Sequence, residues 1–127
     1  MPRRIWFLLT SAVLYALSLV LPVGHDEGPP RLGFEYLVLG GYFCAGAGMI
    51  PANLLAWAGW VSLARGLRRR AVVSGVLALL FGAAGVIPLA LACDVLVYPA
   101  FWVWLASFAI LTAGGFLLPR PGQPAGA

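Results

Sequence analysis

Side chains that could do chemistry are few in this chain and do not form a catalytic set. The only histidine, His25, stands beside Asp26 and Glu27, and such a trio can contribute metal ligands. Consecutive loop residues seldom converge on one ion, so we favour a solvated loop over a metal site. The sequence contains no Ser/His/Asp or Cys/His arrangement and no phosphate-binding glycine loop after a strand. It therefore predicts no enzyme, no metal and no cofactor.

Two polar residues in or beside apolar runs are candidates for intramembrane polar contacts. Asn53 is the one strongly polar side chain inside a predicted span, where an amide either bonds a neighbouring helix or lines a polar cavity. We favour the structural role over a transport or ligand role. Asp94, if buried in a membrane, would indicate a proton or cation path. Because an outer turn must lie there, we favour a solvated interfacial carboxylate.

Two cysteines, Cys44 and Cys93, are too few for a disulfide scaffold or a metal knuckle. Both are expected in the outer half of the membrane, where an oxidising periplasm would permit a disulfide between them. Buried free thiols are also common. The sequence leaves these two alternatives open.

Composition places the elements that carry these residues in a membrane. The chain has 127 residues, of which 62% are hydrophobic and 9% charged, and its mean hydropathy is +0.96. These values are typical of membrane proteins. The net charge of +4 comes from arginines at the ends of apolar runs. That placement follows the positive-inside rule and offers no soluble basic face for nucleic acid.

The apolar runs predict an all-α protein with four transmembrane helices in a single domain, residues 1–120. The spans are expected at about 5–23, 49–64, 71–93 and 100–118, followed by a disordered tail at 121–127. We favour an uncleaved first helix over a signal peptide because its apolar run continues past the candidate cleavage site.

The second element needs a break. A straight helix over residues 34–64 would be about 46 Å long, which exceeds the hydrocarbon core. Its glycine-rich first half and Pro51 favour an interfacial helix at about 34–45, followed by the span. One long, tilted and kinked helix is the alternative.

Charge asymmetry predicts the orientation. Seven of the eight arginines then lie on one side and all four acids on the other. This places both termini in the cytoplasm of a multi-pass protein. The arginines of the central turn, which fix this topology and are expected to contact anionic lipid head groups, are Arg65, Arg68, Arg69 and Arg70.

Three segments carry a resemblance to known proteins. They are Gly33-Phe34-Glu35-Tyr36-Leu37, Ile50-Pro51-Ala52-Asn53-Leu54-Leu55 and Phe101-Trp102-Val103-Trp104-Leu105-Ala106-Ser107. Together they resemble a loose group of small, uncharacterised bacterial inner-membrane proteins with W-x-A-N-P-like and L-W-L-A-S-like motifs. Here Ile50-Pro51 replaces the usual aromatic pair, and Leu54 replaces the proline after Asn53. The resemblance implies a bacterial inner-membrane protein and no particular activity.

Small residues recur at helical spacing and favour helix packing. The clearest series is Ser74, Ala78 and Gly82, which would let two helices approach closely in lipid. The leading hypothesis is a non-enzymatic packing or accessory subunit whose partners are lipids and either copies of itself or another membrane protein. The alternative is a small transporter or channel formed by a homo-oligomer, with Asn53 and Asp94 lining the path.

Overall fold

The computed structural model describes residues 3–24, 31–35, 49–92 and 99–119, and these are mostly helical. Four long helices are present in this part of the chain. They are α1 (Arg3–Val20), α2 (Met49–Ala64), α3 (Arg68–Ala92) and α4 (Pro99–Leu117). The strands β1 (Pro22–Gly24) and β2 (Arg31–Leu32) pair antiparallel after α1. The predicted all-α class is therefore confirmed for the described residues.

Prolines and one glycine set the helix ends. Pro22 follows the end of α1, Pro51 lies in the first turn of α2, and Pro99 begins α4. A proline is tolerated in a first turn because that N–H has no helical partner. Gly66 ends α2 with φ of 72°, the left-handed conformation in which helices commonly end at a glycine.

The turn after α2 is a Schellman motif. The N–H of Gly66 donates to the Leu63 carbonyl at 3.0 Å, and the N–H of Leu67 donates to the Ser62 carbonyl at 2.8 Å. Because this motif closes within two residues, α3 begins at Arg68 rather than at the predicted residue 71. Arginine is a good helix former, so Arg68 starts the first turn readily.

The helices pack in a ring. α1 lies mainly along α4, α4 also lies along α3, and α3 lies along α2, whereas α1 and α2 touch at few places. Gly114 near the end of α4 packs against Phe7 and Leu63, and the adjacent Gly115 packs against Val72. The starts of α1 and α3 and the ends of α2 and α4 therefore share one end of the bundle, and the helices alternate in direction.

Two of these helices, α1 and α4, are long and apolar enough to cross a membrane, and α2 is a shorter apolar helix. The predicted interfacial helix at about 34–45 falls almost wholly outside the described residues, of which 33–35 are helical. The loop 25–30, Cys44, Cys93, Asp94 and the tail 121–127 also lie outside them.

Both apolar and polar side chains are buried between the helices, and many large apolar side chains are exposed as well. The buried polar residues lie between the helices and are Ser11, Ser18, Asn53, Ser62, Ser107 and Thr112. Large apolar side chains point outward on every helix, among them Trp6, Leu9, Val13, Leu17, Leu54, Trp57, Val61, Val73, Leu80, Phe81, Trp102 and Phe116. A soluble monomer rarely exposes contiguous apolar surface of this kind.

Candidate functional site

Asn53 lies inside the bundle and is bonded across it. Its side chain is 4% exposed, and its Oδ1 accepts a hydrogen bond of 3.0 Å from Nε1 of Trp104, which is 6% exposed. The bond joins α2 to α4 across the ring. A hydrogen bond to a neighbouring helix is one of the two environments that the sequence predicted for this amide.

A second indole joins α2 to α1 and, through a hydroxyl, to α4. Nε1 of Trp60 donates to Oγ of Ser11 at 2.8 Å, and that hydroxyl donates to the Ser107 carbonyl at 2.7 Å. Ser11 and Ser107 are fully buried. The Ser107 hydroxyl donates a hydrogen bond of 2.6 Å to the carbonyl of Trp104 in the same helix. We call Ser11, Asn53, Trp60, Trp104 and Ser107 the indole network.

Aromatic rings fill the space between the two indoles. Tyr15 meets Trp60 edge-on, with ring centroids 5.1 Å apart, and lies 6.4 Å from Phe108. Phe108 in turn meets Trp104 at 4.7 Å. Edge-to-face contacts at these distances are favourable. The rings thus run from α2 through α1 to α4, beside the indole network.

Helical spacing explains why these residues meet. Ser11 and Tyr15 are four positions apart on α1 and share its buried face. Trp104, Ser107 and Phe108 share the buried face of α4 for the same reason. Asn53 was predicted from the sequence as a polar contact, whereas Ser11, Tyr15 and the pairing of the two indoles were not. The available signal was the polar and aromatic residues recurring on one face of α1 and of α4.

Chemically, the indole network links the helices through hydrogen bonds between neutral groups. Each indole N–H donates to a partner within the bundle, and the Ser11 hydroxyl both accepts and donates. None of its five members is ionisable near neutral pH. In the described residues no group of three His, Cys, Asp or Glu side chains is placed to hold a metal ion.

The predicted packing residues of α3 lie inside the bundle. Ala78 is fully buried, and Gly82 packs against the ring of Trp104 and against Leu105. Ser74 lies near Gly59 of α2. This small-residue face therefore serves contacts within the chain, between α3 and its neighbours.

The predicted arginines lie together at one end of the bundle. Arg65, Arg69 and Arg70 are exposed, whereas Arg68 is partly buried and its Nε has no hydrogen-bond partner in the described structure. Arg4 of α1 reaches this turn, with Nη1 3.5 Å from where a Cβ on Gly66 would lie. Arg4 was not among the residues predicted to act here.

No family model, curated protein or solved structure matches this chain. Its function is therefore argued from its own residues.

Proposed function

We propose that this chain is a four-span protein of the bacterial inner membrane, with both termini cytoplasmic, that acts by helix packing as a non-enzymatic subunit. The observation that carries the proposal is the set of large apolar side chains that face outward on every helix, together with the serines, the threonine and Asn53 that are buried between the helices. In hydrocarbon this arrangement satisfies polar groups internally and presents apolar surface to lipid.

The ring of alternating helices supports four spans. α3 has 25 residues, which corresponds to about 37 Å and exceeds the hydrocarbon core. α2 has 16 residues, about 24 Å, so it spans with local thinning or with help from the segment before it. The arginines at one end of the bundle favour the cytoplasmic side for that end.

The closed indole network favours packing over transport. A helix lining an ion or solute path would keep polar groups open toward that path. Here the Asn53 oxygen is engaged by Trp104, at 3.0 Å, inside the bundle. The resemblance to small bacterial inner-membrane proteins supports the topology and supplies no reaction.

Partner contact is expected on the outward side of α4, where small and large residues alternate. Ala106 and Ala109 are exposed there, between the exposed rings of Trp102 and Phe116. Small residues let a second helix approach closely in lipid. The second helix would come from a copy of this chain or from another membrane protein.

Native mass spectrometry of the complex, extracted gently from its own membrane, tests the proposal. We expect either a stoichiometric second protein or a closed homo-oligomer. Ala109→Leu should dissociate it, whereas Val76→Leu, at an exposed site on α3, should not. A lone monomer at all detergent concentrations would refute the packing role, and release of the chain by alkaline washing would refute membrane insertion.

Flux measurements on the same preparation separate packing from transport. The unmodified protein should show no flux, so Asn53→Leu should change none, because the amide serves the contact between α2 and α4. Loss of a measurable flux with the assembly intact would instead establish the transporter.

A further inference from the structure

Six arginines lie at one end of the bundle, and the residues that the structure describes place no acidic side chain among them. The arginines at this end are Arg3, Arg4, Arg65, Arg68, Arg69 and Arg70. In the described residues the only acid is Glu35, whose carboxylate accepts from the N–H of Leu32 at the opposite end.

Two of these arginines flank one turn from different helices. Arg4 comes from α1, with Nη1 3.5 Å from the position of a Cβ on Gly66. Arg68 comes from α3, and its backbone N–H donates to the Gly66 carbonyl at 3.0 Å. The Arg4 guanidinium and the first residue of α3 therefore both lie beside Gly66, where α1 and α2 otherwise have few contacts.

Arg68 has an unused donor in this place. Its Nε is buried and has no partner in the described structure. A buried guanidinium donor without an acceptor is costly. Arg68 also begins α3, where the helix dipole adds to the positive potential. An anion is therefore the missing component.

We propose that Arg4 and Arg68 bind the phosphate of one anionic phospholipid head group, which bridges the start of α1 to the turn between α2 and α3. Guanidinium groups match phosphate oxygens in planar, paired hydrogen bonds. The proposal rests on the membrane insertion proposed above.

A lipid, rather than a free phosphate, fits the surroundings. Trp6 and Leu67 are exposed beside these arginines, so apolar surface begins directly next to the cations. A tryptophan at this depth is typical of a membrane interface. The acyl chains of a bound lipid would cover that surface, which a soluble anion would leave exposed.

Native mass spectrometry of the delipidated protein in neutral detergent tests this with added phosphatidylglycerol, phosphatidylcholine or inorganic phosphate. One phosphatidylglycerol should bind in preference to phosphatidylcholine, and inorganic phosphate should not displace it. Arg4→Gln and Arg68→Gln should each weaken that binding about tenfold, which is the expected effect of losing a charged hydrogen bond. Arg4 is exposed, so its replacement leaves the core intact.

Arg70→Gln is the matched control. It removes the same charge from the same helix turn, but helical geometry places residue 70 on the side of α3 away from residue 68. It should leave lipid binding unchanged. Equal loss of lipid binding in all three variants would show diffuse electrostatic attraction and overturn a specific site. Equal binding of phosphatidylcholine would also overturn it. Displacement of the lipid by inorganic phosphate would identify a soluble anion as the ligand instead.

Failure of this proposal is distinguishable from failure of the packing role. The oligomeric state is read from the gently extracted complex, and lipid binding is read from the delipidated protein, each as its own mass difference. A monomer that retains one phosphatidylglycerol refutes the packing role alone. An oligomer without selective lipid refutes the bridging site alone.

Discussion

The hydrogen bond between Asn53 and Trp104 should stabilise the bundle by a measurable coupling energy. Asn53→Leu leaves the Trp104 N–H buried without a partner, and Trp104→Phe leaves the Asn53 oxygen in the same condition. An unpaired buried polar group costs about 1–3 kcal/mol. Each single variant should therefore lower the free energy of unfolding by about that amount, with Trp104→Phe also losing ring contacts to Phe108.

The double variant isolates the bond itself. With both partners removed, no polar group remains unpaired, so the two losses should not add. Coupling between hydrogen-bonded side chains in membrane helices averages about 0.6 kcal/mol and reaches about 1.7 kcal/mol. Because both side chains are almost fully buried, we expect about 1 kcal/mol here, above the average.

Unfolding in mixtures of a mild detergent and sodium dodecyl sulfate, followed by pulse proteolysis, gives the four free energies of the cycle. Ser18→Ala serves as the control, since that hydroxyl donates to the Tyr15 carbonyl of its own helix, at 2.6 Å. The control should change the free energy of unfolding by less than about 0.5 kcal/mol. Strictly additive losses from Asn53→Leu and Trp104→Phe would refute the cross-helix role of Asn53.

Three further changes probe the packing by the same unfolding assay. Gly75→Ala would press a methyl group onto the Thr112 hydroxyl and to 3.2 Å from its Cα, so it should cost about 1–3 kcal/mol. Adding Thr112→Ala should recover part of the lost free energy of unfolding. No recovery would show that the destabilisation does not come from contact with Thr112. Gly66→Ala should cost about 1–2 kcal/mol because φ is 72° there, and a neutral result would contradict the left-handed turn. Ser11→Ala should cost about 1–3 kcal/mol because it leaves the Trp60 N–H unpaired. A cost no larger than that of the control Ser18→Ala would contradict the indole network.

Helix positions could be predicted from the sequence because their causes are local. Apolar runs, Pro51 and Pro99 placed the helices within a few residues of their observed bounds. The start of α3 was placed too late because the arginine run looked like a turn, whereas arginine continues a helix well.

Partners within the bundle could not be predicted because they depend on how each helix is rotated and which helix lies beside it. Trp104 and Asn53 are 51 positions apart, and Ser11 and Ser107 are 96 apart. Nothing in the sequence showed that α1 packs mainly along α4 rather than α2. Arg4 was overlooked as a neighbour of Gly66 for the same reason.

Side-specific labelling of single cysteines tests the membrane arrangement most directly. In a background with Cys44 and Cys93 changed to serine, Leu67→Cys places a thiol in the arginine turn, and Phe34→Cys places one at the opposite end; both positions are exposed. A membrane-impermeant maleimide should label Leu67→Cys only in inverted vesicles and Phe34→Cys only in intact spheroplasts. Labelling of both from the same side would contradict the alternating, membrane-spanning bundle.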